Sequence, residues 1–243
     1  MPLIEHLIEL RQRLLVAICS ILFVFLGLIY FANDIYLIVS KPIRDQLPEG
    51  TSMIATDVTA TFFAPFKLTA VVALFLAMPI VLHQIWKFIS PGLYSHEKKV
   101  AVPILVSSVL LFYAGIAFAH YIIFPIIMAF FVSSGPESIA VTPDISQYLS
   151  IALTLFFAFG ATFEIPVAIV LLVWSGAISS ADLADKRRYV VVICFIIAML
   201  LTPPDPLSQT LLAVPMCLLF ELGLLLSRLV EKKPSSEIST TGN

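Results

Sequence analysis

Four acidic side chains stand out by position. Glu164 lies inside the otherwise uncharged run from Tyr148 to Trp174, two residues before Pro166. An acid in such a run costs about 2.5–3.5 kcal/mol on membrane-insertion scales. It therefore needs a partner, either a neighbouring helix of the same chain or a polar group on another molecule. Glu9 and Glu97 flank apolar runs, close to Arg11, Arg13, Lys98 and Lys99. Glu9 reads as an ion pair with Arg13 at i,i+4, and Glu97 as a favourable charge in the first turn of a helix. Each reads equally well as a bidentate partner for a guanidinium. Asp205 sits in Thr202-Pro203-Pro204-Asp205-Pro206, a turn no helix runs through, where an acid is unremarkable.

Motifs for catalysis are missing. The chain has no G-x-x-x-x-G-K-[ST], no H-E-x-x-H and no G-x-S-x-G. His6, His83, His96 and His120 fall on separate elements, so no metal site and no cofactor are expected. Cys19, Cys194 and Cys217 lie inside apolar runs without metal-like or disulfide-like spacing and read as small packing residues. A net charge of -2 offers nothing to nucleic acid. Any driven process must draw its energy from elsewhere.

The elements that must hold these acids follow from composition. Of 243 residues, 60% are hydrophobic and 12% charged, whereas a soluble domain is nearer half apolar and a quarter charged. The excess calls for a bilayer. The pattern predicts an all-α polytopic membrane protein: one six-helix domain over 1–230, with spans at about 14–32, 67–87, 100–131, 148–174, 187–202 and 207–227. Residues 1–13 read as an amphipathic helix, residues 33–66 and 133–147 as polar loops, and 231–243 as a Ser/Thr-rich disordered tail. No cleavable signal peptide is expected. Val100–Phe131 exceeds what a bilayer needs, which predicts a tilt, a kink at Pro125 or a projecting end. The fifth run is short: Tyr189–Leu201 rises only about 20 Å against a hydrocarbon core of about 30 Å. Two short crossing helices in a thinned bilayer are the expected solution. Tyr30, Phe31, Tyr36, Trp86, Phe88 and Tyr94 read as an interfacial aromatic belt.

Charge bias sets the orientation. With the N-terminus inside, the inner segments carry Arg11, Arg13, Lys87, Lys98, Lys99, Lys186, Arg187, Arg188, Arg228, Lys232 and Lys233, and the outer ones only Lys41, Arg44 and Lys67. Both termini are thus expected in the cytoplasm.

Several ordered segments carry a resemblance. His-Leu-Ile-Glu-Leu-Arg at 6–11, Tyr-Phe-Ala-Asn-Asp-Ile-Tyr at 30–36, Met-Ile-Ala-Thr-Asp at 53–57 and Phe-Ile-Ser-Pro-Gly-Leu-Tyr-Ser-His-Glu at 88–97 are followed by Phe-Glu-Ile-Pro-Val at 163–167 and Leu-Thr-Pro-Pro-Asp at 201–205. Together they resemble the TatC family of the twin-arginine protein translocase over nearly the whole chain. The resemblance implies six helices in a concave, cupped arrangement with short fifth and sixth helices, and no enzymatic activity. It implies binding of twin-arginine signal peptides of folded precursors through Glu9 and Glu97, with Arg11, Phe88, Leu93 and Tyr94 nearby. It implies that Glu164 faces polar groups on single-span TatA-like and TatB-like partners, and that Gln209, Pro42, Phe62 and Asp205 are functional. A homo-oligomeric receptor complex in the bacterial inner membrane, driven by the proton motive force, completes the implication. Ser95 departs from the pattern, standing where a basic residue is expected.

Two other readings stay open on the residues alone. A proton-coupled secondary transporter with Glu164 as proton carrier suits the midspan acid and the proline-broken helices, but the chain has no visible repeat. An intramembrane hydrolase is disfavoured by the missing motifs.

Overall fold

Uncharged runs in an apolar solvent can satisfy their backbone only as helices, and the computed structural model is helical wherever those runs fall. It describes residues 3–44, 54–55, 59–89, 98–133, 144–201 and 206–230. The first helix, α1, is Leu3–Leu28, and a 3-10 turn at Ile29–Phe31 leads into α2, Ala32–Arg44. The expected amphipathic segment and first span are therefore one continuous helix. The first third of the expected polar loop is helical too. The second span is α3, Ala60–Ile89. The third is α4, Lys98–Phe118, continued through a π-helical turn at Ala119–Ile123 into α5, Phe124–Ser133. The fourth is α6, Ile145–Thr162, and α7, Ile165–Trp174. A short α8, Ser180–Asp185, precedes α9, Arg187–Leu201, and α10, Pro206–Val230. Among the described residues, five stretches are long and apolar enough to cross a membrane. The remaining span is α9, whose 15 residues rise about 22 Å. The expectation of a short sixth helix is corrected: α10 has 25 residues, long and apolar enough to cross a full bilayer.

Prolines shape these helices in several ways. Pro166 and Pro206 stand in the first turn of a new helix, where the missing N–H would have no intrahelical acceptor anyway. The break at Phe163 and Glu164 creates the start before Pro166, whereas Pro125 follows a π turn in a helix that continues through it, one local adjustment by which a helix accommodates a proline. Pro79 instead lies in the middle of the unbroken 30-residue α3. It cannot donate to the carbonyl of Phe75 one turn back. That carbonyl accepts the hydroxyl of Tyr113, on α4, at 2.9 Å.

The helices pack as an open row. α1 and α2 lean on α3, α3 touches α4 and α6, α4 lies along α6, α7 runs against α10, and α9 covers α10. Small residues allow the closest approaches. At Gly115 on α4, a Cβ would stand 2.5 Å from the Phe159 carbonyl oxygen of α6. The core gathers Leu68, Ile127, Leu149, Phe159 and Leu212, with a second cluster of Met78, Trp86, Phe112 and Leu171. None of the most apolar stretch of α1 is buried, and Phe23 is 80% exposed. Such a surface belongs in lipid.

Removing the Tyr113 hydroxyl tests the repair of α3. Tyr113→Phe is expected to lower stability in detergent by about 1 kcal/mol, the scale of a hydrogen bond between membrane helices. Pro79→Ala restores the N–H that Phe75 lacks, so Tyr113→Phe is expected to cost much less in that background. Equal losses in both backgrounds, read by thermal unfolding, would refute the assignment.

Candidate functional site

Glu164 owes its position to the break in the fourth span. Phe163 closes α6 through its N–H on the Phe159 carbonyl at 2.9 Å, and the Glu164 carbonyl opens α7 by accepting the Ala168 N–H at 2.9 Å. Pro166 prevents the two helices from merging. The turn directs the Glu164 carboxylate toward α4, where the Ser108 hydroxyl donates to Oε2. Ser108 in turn accepts the indole N–H of Trp86, on α3, at 2.7 Å. Three helices are thus joined by one hydrogen-bond chain. Ser108 and Trp86 are buried, and Glu164 is half-buried. The other carboxylate oxygen, Oε1, is buried with no hydrogen-bond partner among the described residues.

Trp86 corrects an expectation. It was read as part of the interfacial belt, yet its ring packs against the second core cluster. Tyr30, 88% exposed, fits the belt far better. Ser108 was missed entirely. Its signal was faint: a hydroxyl within an uncharged run, at the right depth to bond a neighbouring helix.

A second constellation gathers at the end of the bundle where α1 begins and α3 finishes. His6 stacks on Phe88 with ring centroids 4.4 Å apart and planes 21° from parallel. One turn along α1, Glu9 accepts two hydrogen bonds from Arg13, one from Nε at 3.0 Å. The helical ion pair is the reading of Glu9 that the structure displays. Arg11 is exposed. Leu93, Tyr94 and Glu97 lie outside the described residues, as do Ser95 and Asp205.

The remaining expected residues scatter. Gln209 donates its amide to the Phe195 carbonyl at 3.1 Å, tying α10 to α9. Arg187 and Glu221 join the same two helices through an exposed pair at 2.8 Å. Phe62 is exposed at the opposite end of α3 from Phe88, roughly 40 Å away along the helix. It packs on Phe63 and Phe66. Pro42 belongs to α2, and its side chain lies outside the described residues.

Comparison with known proteins places this geometry. The family model "Sec-independent protein translocase protein (TatC)" matches residues 5–215. The chain is 60% identical over 223 residues to the Sec-independent protein translocase protein TatC of Azotobacter chroococcum mcd 1, covering 92% of this chain and 88% of that protein. It is 56% identical over 227 residues to the protein of the same name from Escherichia coli (strain K12), covering 93% and 88%. A crystal structure of the twin arginine translocase receptor TatC superposes with a TM-score of 0.82 at 36% identity, covering 93% of this chain and 99% of that one.

The Glu9–Arg13 pair is exposed enough for water to compete with it. Arg13→Gln is therefore expected to leave the thermal midpoint in detergent unchanged. A clear drop would mean that the pair braces α1 against α3.

Proposed function

Since this chain belongs to the TatC family, the Sec-independent protein translocase proteins, we propose that it is the signal-peptide receptor and assembly platform of a twin-arginine translocase. The observation that carries this is the meeting of the two motif segments: the stack of His6 on Phe88 brings 6–11 to the root of 88–97. Glu9 and Glu97 then offer two carboxylates to the paired arginines of a signal peptide, each guanidinium presenting a planar fork of N–H donors. Phe88, Leu93 and Tyr94 supply apolar contact beside them, and Arg11 helps set the local charge. Arg13 keeps the Glu9 carboxylate in register until a peptide guanidinium replaces it.

The excess of Lys and Arg on one set of segments supports placing this end, and both termini, on the cytoplasmic side of the bacterial inner membrane. Pro42, Phe62 and Asp205 then serve the outer side. The unanswered Oε1 of Glu164 supports a contact with polar groups of TatA-like and TatB-like single-span proteins, with Gln209 fixing α9 beside α10 for the same assembly. The receptor complex holds more than one copy of this chain. Transport draws on the proton motive force, in keeping with a sequence that has no nucleotide-binding motif.

Photocrosslinking to a twin-arginine peptide tests the patch. Glu97→Gln, and separately Glu9→Gln, is expected to weaken capture by on the order of tenfold or more, the loss of a charge-assisted hydrogen bond, with insertion unaffected. Undiminished crosslinking in both would sink the assigned site. For the intramembrane acid, Glu164→Leu is expected to leave the thermal midpoint unchanged or raised, because an unpaired buried oxygen disappears. Recovery of the single-span proteins with the solubilised complex should fall several-fold. An unfolded variant that still holds its partners would make Glu164 a structural residue instead.

A further inference from the structure

A Ser or Thr hydroxyl in an apolar helix usually turns back to a carbonyl of its own helix. Ser20, Thr69, Ser107, Thr154, Thr162 and Ser227 all do so, at 2.7–2.9 Å. Ser108 breaks the habit. Fully buried on α4, it gives its proton to Glu164 across the helix interface and receives the Trp86 N–H.

The direction of that chain is dictated by chemistry. An indole N–H only donates. The Ser108 oxygen must therefore accept from Trp86, which steers its single proton toward the remaining acceptor, Oε2 of Glu164. With Oε2 occupied, Oε1 is the oxygen left for any further contact. A proton taken up by this carboxyl resides there as well.

We propose that Trp86 and Ser108 are positioning residues for Glu164: they clamp Oε2 and leave Oε1, buried on a half-exposed side chain and unpaired among the described residues, as the oxygen that a polar side chain on a partner's membrane-spanning helix takes up when it packs there. The inference rests on the reading of Glu164 as a partner-contact group and adds what aims it. Without the clamp, the carboxyl rotates freely about its last torsion and loses the geometry a partner must match.

The test uses the full chain expressed with its single-span TatA-like and TatB-like proteins and purified in detergent. Ser108→Ala is expected to lower recovery of those proteins by about two- to tenfold, the loss of one hydrogen bond's positioning, and Ser108→Thr to restore it. In a Glu164→Leu background, Ser108→Ala is expected to do nothing further. A spectroscopic reading separates aiming from mere packing. In a Trp174→Phe chain, Trp86 is the single tryptophan. Its 15N-labelled indole N–H resonance is expected to move on Glu164→Leu but not on the exposed control Glu221→Gln. Full partner recovery in Glu164→Leu would remove the underlying reading, and the proposal with it. Loss in Glu164→Leu but full recovery in Ser108→Ala would overturn the proposal alone, as would an indole resonance indifferent to residue 164. Should neither Ser108 variant accumulate, Trp86→Phe decides: full partner recovery there also overturns it.

Discussion

A polar group inside a bilayer has no water to fall back on, and most of what is distinctive in this chain answers that constraint. Pro79 frees the Phe75 carbonyl, and Tyr113 answers it from the next helix. Pro125 and Pro166 would free carbonyls too. There the helix itself adjusts, widening into a π turn ahead of Pro125 and breaking ahead of Pro166. Trp86 brings an indole N–H into the core, Ser108 takes it, and Glu164 takes the Ser108 proton. The hydrogen bonds of Tyr113, Trp86 and Ser108 each cross to another element, so each also fixes the spacing of two elements. The fold is held as much by these obligations as by apolar packing, which lipid competes with on nearly equal terms.

The open row follows from the same physics. With little hydrophobic gain from burying one apolar helix against another in lipid, α1 can keep most of its surface outward and lean chiefly on α3 among the described residues. α9 is peripheral in a different way. Too short to span comfortably, it is pinned to α10 at its first residue, by Arg187 on Glu221, and near its middle, by Gln209 on the Phe195 carbonyl. Glu221 lies near the level where α9 begins, so the last nine residues of α10 run on beyond its short neighbour.

Much of this was legible in the sequence, and the illegible part has a physical cause. Hydropathy alone gave the runs that became α1, α3, α4 with α5, α6 with α7, and α10. The shortness of α9 was plain from counting residues between Lys186-Arg187-Arg188 and Pro203. Glu164 announced itself because a carboxylate in such a run is expensive wherever it points. Trp86 did not. A tryptophan at the end of an apolar run has the same composition whether it faces headgroups or the core, and only the rotation of α3 about its axis decides. Apolar over most of its length, with His83, Gln84 and Lys87 spread around the turn that holds Trp86, α3 leaves that rotation unmarked in sequence. Ser108 and Tyr113 were hidden for a related reason. Their worth depends on what faces them from another helix, and a single chain read in order does not contain that register. α2 was missed because its polar residues mimic a loop while its apolar ones lie on α3.

The end of α3 shows why that rotation carries consequence. Trp86 and Phe88 are two residues apart, which on a helix means about 200° around the axis and only about 3 Å along it. Trp86 therefore points inward, to Ser108 and the Glu164 chain, while Phe88 points to His6 on α1. One helical turn is shared between the patch where a peptide is proposed to dock and the chain that holds the intramembrane acid. A hydrogen bond of 2.7 Å tolerates little displacement of its donor before it weakens. The stack on His6 and the chain to Glu164 thus start from the same turn of α3, on opposite sides of it. In an apolar solvent the indole N–H of Trp86 has no water to turn to, so the rotation of α3 that meets Ser108 is the one that satisfies it.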